Sequence, residues 1–184
     1  MPTPAGTISP QRLRRLQLLG VTFLFATLTV WLYQLDRVLR TEAAPQGIVS
    51  FELARTAAKS VAILDSWSPQ AREAAMLLQG LDFLYLVVYP VWLSLLALSL
   101  SASLGGRWQR VGLWIGTAVI FCAPFDAIEN HALIVQVMRG PSDELAARAW
   151  FCAGVKFALF FAALAFIAAA GVVAASRRLA ARSM

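Results

Sequence analysis

Apolar residues gather into four runs along the chain: Leu16–Leu35, Leu77–Leu100, Val111–Val137 and Trp150–Ala175. A helix of about 20 apolar residues spans the hydrocarbon core of a bilayer, so each run predicts one membrane-crossing helix. The fold class expected is therefore all-α: a polytopic membrane protein built as a four-transmembrane-helix bundle. Residues 11–184 are expected to form a single membrane domain, and residues 1–10, rich in Pro, Thr and Gly, are expected to form a disordered arm.

Between the first two runs lies the only long connection, residues 36–76. Within it Phe51, Ala54, Ala58, Val61 and Leu64 recur at helical spacing, with Glu52, Arg55, Lys59 and Ser60 on the other side. That pattern predicts one amphipathic helix over the bundle's outer end, with Trp67 as an interfacial anchor. Ser68-Pro69 reads as an N-cap followed by proline at the first helical position, so the second spanning helix begins well outside the membrane. Gly105-Gly106 and Gly140-Pro141 punctuate the next two connections, and Ser142-Asp143-Glu144 starts the last helix with acids at its positive dipole end.

Composition agrees with the pattern: 59% of the 184 residues are hydrophobic and only 14% charged, against about a quarter charged in soluble domains. The net charge of +6 is concentrated in three short segments. Arg12, Arg14 and Arg15, then Arg107 and Arg110, then Arg177, Arg178 and Arg182 occur with no acidic residue among them, whereas the other two connections are neutral overall. By the positive-inside rule, both termini and the second connection are expected in the cytoplasm and residues 36–76 outside. The arginines are scattered and belong to no recognisable nucleic-acid module, so nucleic acid is not an expected partner. The first run is too long for a signal h-region and no A-x-A-like site closes it, which predicts an uncleaved anchor. The Ala-rich stretch Ala162–Ala175 lets the fourth helix pack closely on a neighbour, in the same chain or in a second copy or membrane partner.

The candidate chemistry lies in the few charges inside the runs. Asp82, Asp126, Glu129 and Lys156 each sit among apolar residues, where an ionisable group costs about 2.5–3.5 kcal/mol even on the lenient insertion scale. At about 1.5 Å per residue, Asp82 falls roughly 10 Å, Asp126 roughly 7 Å, Glu129 roughly 12 Å and Lys156 roughly 9 Å to the outer side of its helix midpoint. Three helices thus contribute to one polar layer. Asp82, Tyr85 and Tyr89 share a helical face, as do Cys122, Asp126, Glu129, Asn130 and Leu133. Pro90 and Pro124 each free a carbonyl nearby, at Leu86 and Ile120, and make room for a water or ligand.

Asp82, Asp126, Glu129 and Lys156 are accordingly the candidate catalytic groups, with Lys156 expected to pair with one of the three acids. Tyr85, Tyr89 and Asn130 are the candidate ligand-orienting groups. Such a set suits acid–base chemistry or proton-coupled binding. No metal or cofactor is expected: Lys156 shares the layer, and His131 is about 140° around the helix from Asp126. Cys122 and Cys152, roughly 13 Å apart in depth, are expected to be free thiols. There is no C-x-x-C, G-x-S-x-G, P-loop or H-E-x-x-H motif, which leaves thiol exchange, nucleophile-elbow hydrolysis, nucleotide binding and zincin chemistry without their residues.

The groups Phe51-Glu52-Leu53-Ala54 with Trp67, Leu81-Asp82-Phe83-Leu84-Tyr85 with Tyr89, Asp126-Ala127-Ile128-Glu129-Asn130, and Lys156-Phe157 resemble a set of small, uncharacterised bacterial four-helix inner-membrane proteins. The resemblance covers nearly the whole chain and implies a multi-pass protein of the bacterial inner membrane, without implying an activity. Together these readings point to a small lipophilic or amphipathic ligand at the polar layer. The alternatives are a scaffold or subunit whose polar network fixes helix packing, and proton or ion translocation. Translocation is the weaker, because nothing equivalent to the charged layer lines the inner half, where Ser94, Ser99, Ser101 and Thr117 lie.

Overall fold

A computed structural model describes residues 10–182. Among them every regular element is helical. The disordered arm expected over residues 1–10 lies outside the described residues except for Pro10, which opens the first helix. The elements are α1 (Pro10–Asp36), a 3-10 turn (Arg37–Leu39), α2 (Ile48–Glu52), α3 (Ala57–Ser66), α4 (Pro69–Leu104), α5 (Gly106–Ala118), a second 3-10 turn (Val119–Phe121), α6 (Cys122–Arg139) and α7 (Asp143–Arg182). Four helical stretches are long and apolar enough to cross a membrane: Arg15–Leu39, Pro69–Leu104, Gly106–Arg139 and Asp143–Ala181.

The helix starts follow the local chemistry of the sequence. The Ser68 hydroxyl accepts from the Ala71 amide at the start of α4, and the Ser142 hydroxyl from the Leu145 amide at the start of α7. Gly105, Gly106 and Gly140 take positive φ where the chain turns between spans, a conformation that is free of strain only without a Cβ. The third span is not one continuous helix. A 3-10 turn precedes Pro124 on the first turn of α6, as expected where proline removes an amide donor. Pro90, by contrast, lies inside α4 without ending it.

The helix expected across Phe51 to Leu64 is two helices, which is the main correction to the pattern reading. Leu53 to Thr56 break it, with Arg55 at φ 65 and the Thr56 hydroxyl accepting from the Lys59 amide to cap α3. The break rotates the faces out of register. Ala58 and Val61 are exposed, whereas Ser60, Ile63 and Leu64 are buried, and Glu52 points inward instead of to the polar side. Trp67 is not an interfacial anchor: it is buried, its ring meets Phe51 edge-on and its indole N–H donates to the Leu39 carbonyl at 2.8 Å.

The core is tiered along the bundle. At the cap end Leu39, Phe51, Ile63, Trp67, Leu78 and Leu133 pack together. Leu86, Tyr89, Leu93, Val119, Cys122 and Ala163 form a middle tier, and Ala97, Leu104, Phe166 and Ala170 close the opposite end. There α5 approaches α4 closely: a Cβ at Gly112 would lie 2.2 Å from the Ser101 Cβ. Of the spanning helices, α1 packs on α4 and has at most marginal contact with the others, so its edge facing α7 stands open.

Candidate functional site

The polar layer lies between the cap tier and the middle tier, and its centre is Lys156 on α7, 8% exposed. Its Nζ donates to Glu129 Oε1 at 2.7 Å and to Asp126 Oδ1 at 3.1 Å, both from α6. A third carboxylate, Glu52 Oε2, lies 3.6 Å away. The expected pairing of Lys156 with one acid is thus a pairing with two of those foreseen and with a third that was not. Asp82 is not among them; it accepts from Asn130 Nδ2 at 2.6 Å.

The two tyrosines divide their roles. Tyr89 donates its phenol proton to Asp126 Oδ2 at 3.0 Å, which fixes that carboxylate from both sides. The Tyr85 hydroxyl lies 3.1 Å from Thr29 Oγ1, and Thr29 already spends its proton on the Phe25 carbonyl. Tyr85 is therefore the donor and ties α4 to α1, while its ring lines the cavities described below. Asn130 is almost fully buried and acts on Asp82, not on open space. Cys122 and Cys152 are free, buried thiols, with the Cys122 Sγ 3.5 Å from the Lys156 carbonyl oxygen. His131 is exposed.

A crevice of about 700 Å³ leads to this layer. Its back wall is α4 (Leu78, Gln79, Asp82, Tyr85), its flanks are α1 (Thr29, Leu32, Tyr33) and α7 (Phe157, Phe161), and the connection including α2 roofs it. Tyr33 and Phe161 stand at its open side, more than half exposed. It adjoins a smaller hollow of about 190 Å³ lined by Glu52, Asp82, Tyr89, Asp126, Lys156 and Phe160 among others. A separate groove of about 370 Å³ lies beside the 3-10 turn, between Ser94, Gly116, Thr117, Ile120, Phe121 and Pro124, so room does open at Pro124.

Two residues of the site, Glu52 and Gln79, are not among the candidate site residues of the sequence. Glu52 belongs to a five-residue helix whose amphipathic face is set by the break at Leu53 to Thr56. The signal was Thr56 itself, a capping residue in the middle of an otherwise periodic run. Gln79 is three residues before Asp82 on α4 and 2% exposed, and the same face argument that joined Asp82 to Tyr85 would have reached it.

Several polar atoms here have no hydrogen-bond partner: Glu52 Oε2, Glu129 Oε2 and Gln79 Nε2. Burial lifts the Glu52 carboxyl above the usual range; the nearby Lys156 ammonium opposes this and the Asp126 carboxylate adds to it. The cluster as a whole holds four carboxyls and one ammonium, an excess of negative charge that a low-dielectric interior must relieve with protons or with a cation. Groups of this kind, beside two phenols, have the chemistry to hold a proton or to accept a cation. No family model, curated protein or solved structure matches the chain.

Proposed function

We propose that this chain is a multi-pass protein of the bacterial inner membrane that binds, or acts on, a small lipophilic or amphipathic ligand at the Lys156 cluster. The observation that carries the reading is the crevice: its volume of about 700 Å³ falls within the range of about 300–1,000 Å³ usual for ligand sites. Its walls are largely apolar, its inner end is ionisable, and its mouth opens on the bundle's flank between α1 and α7, where an immersed bundle meets acyl chains. The arginine distribution supports cytoplasmic termini, which puts the crevice in the outer half of the membrane. In this reading Asp82 and Glu52 meet the ligand's polar end, while Asp126 and Glu129 hold Lys156. Tyr85, Tyr89 and Asn130 fix the positions of those groups.

The scaffold reading also has an observation in its favour. Lys156 bridges α6, α7 and the roof, and such a network fixes register between helices that lack other directional contacts. Translocation has less, because Leu93, Ala97, Ala163 and Ala170 are completely buried beyond the layer and offer no polar continuation.

The test is to purify the protein in nanodiscs from its own membrane and identify co-purified molecules by solvent extraction and mass spectrometry, beside Val49→Trp. Val49 lines both cavities, so the indole fills the passage between them. A species held in stoichiometric amount by the wild type and lost in Val49→Trp supports the ligand reading. No species enriched over the bulk lipid, or equal retention by both proteins, would leave the scaffold reading in its place.

A further inference from the structure

Granting the ligand reading above, we infer that the ligand's polar end is cationic: the site takes a lipophilic amine, with its ammonium between Asp82 and Glu52 and its hydrocarbon along the α1–α7 crevice. Charge and geometry carry this together. The Lys156 ammonium donates to Glu129 and Asp126 and has Glu52 as its next carboxylate at 3.6 Å, while it makes no ion pair with Asp82. That carboxylate has a neutral amide as its partner and lines both the crevice and the inner hollow. An anionic head would add to the excess of negative charge, and a neutral hydroxyl would leave it unrelieved; an ammonium relieves it.

Buried polar atoms without partners point the same way. Glu52 is 7% exposed and Gln79 2% exposed, both line the crevice, and each carries an atom with no hydrogen-bond partner. Gln79 and Asp82 are one turn apart on α4, with Glu52 in the roof above them. Gln79 also carries an amide oxygen, which can accept from an incoming N–H. An ammonium has three N–H donors, which matches Asp82, Glu52 and Gln79. The aromatic wall of Tyr85, Phe157 and Phe160 suits a cation as well, and the Lys156 ammonium already sits 5.1 Å from the Phe157 ring centroid, the usual range for a cation on a ring face. An inorganic cation would leave the apolar length of the crevice empty, whereas an alkyl chain fills it.

The experiment compares dodecylamine, dodecanol and dodecanoate, which share a tail and differ in head charge, by equilibrium dialysis against the full chain in nanodiscs, with empty nanodiscs subtracted. Wild type should hold the amine about tenfold or more tighter than the alcohol, with the acid weakest, and Asp82→Asn should weaken the amine by about thirtyfold while leaving the alcohol unchanged. Gln79→Leu serves as a second variant should Asp82→Asn unfold, and is expected to lower amine affinity several-fold with the alcohol unaffected. If the alcohol or acid binds as tightly as the amine, the cationic head is wrong while the ligand reading survives. If none of the three binds above the empty-nanodisc level, the ligand reading fails and this inference with it.

Discussion

Lys156→Met tests the electrostatics of the site most sharply, because it keeps the apolar stem and removes the one ammonium among four carboxyls. Two hydrogen bonds disappear, at 2.7 Å to Glu129 and 3.1 Å to Asp126, together with the 3.6 Å contact that fastens Glu52 of α2 to α7. Interhelical hydrogen bonds in membrane bundles are worth about 0.6 kcal/mol each, so the lost bonds alone account for about 1 kcal/mol. The larger part is the charge left behind. Deleting one partner of a buried ion pair costs about 3–5 kcal/mol in soluble proteins, an upper bound here because carboxyls can take up protons. The expected loss is therefore about 2–4 kcal/mol. Glu129→Gln removes a negative charge instead, and should cost about 1 kcal/mol or less. Unfolding in mixed SDS micelles, followed by tryptophan fluorescence, measures all three proteins. Equal losses for Lys156→Met and Glu129→Gln would refute the reasoning.

Other expectations follow from single contacts. Because burial raises the Glu52 carboxyl above its ordinary value of 4.5, the folded protein holds that proton more tightly than the unfolded chain. Its contribution to stability is complete below pH 4.5 and is lost as the pH rises through the folded value. Glu52→Gln should thus show a flatter stability profile above pH 4.5 in the same unfolding assay, and parallel profiles would contradict this. Gly47 has φ +59, and a Cβ there would lie 2.1 Å from Asp36 Oδ1, the atom that accepts from the Ile48 amide. Gly47→Ala should therefore destabilise the roof by about 1–3 kcal/mol, seen as faster trypsin cleavage after Arg40 or Arg55; wild-type cleavage rates would count against it. Gly112→Val should push α5 from Ser101 of α4 and lower stability by about 1–3 kcal/mol, yet spare binding in the distant crevice. Unchanged unfolding, or lost binding with the fold intact, would argue otherwise.

Much of this architecture was legible because lipid imposes one simple rule. Buried charges are costly in an apolar run, so Asp82, Asp126, Glu129 and Lys156 stood out, and helical phase with a fixed rise placed them in one layer. Cys122, Asp126, Glu129, Asn130 and Leu133 do share a buried face. The connection over residues 36–76 was harder to read, since it packs on the bundle and no solvent-facing rule governs it. Apolar spacing joined Phe51 to Leu64 across a break made by backbone chemistry at Arg55 and Thr56, and so turned Glu52 outward. Which acids meet Lys156 could not be read from depth alone, because layers fix height and not azimuth; Asn130 takes Asp82 out of reach of the pairing. The open side between α1 and α7 depends on α1 packing, among the spanning helices, chiefly on α4, a tertiary fact without a local sequence signal.

The central claim is that the crevice holds a ligand at its ionisable end. A high-resolution structure of the protein in nanodiscs, purified from its native membrane without added lipophile, tests this most directly. Elongated density lying between Tyr33 and Phe161 and ending within hydrogen-bond distance of Asp82 and Glu52 is the expected result. A crevice closed by α1 moving onto α7, with Glu52 and Gln79 satisfied by protein groups alone, would contradict the claim and leave the cluster as a packing device.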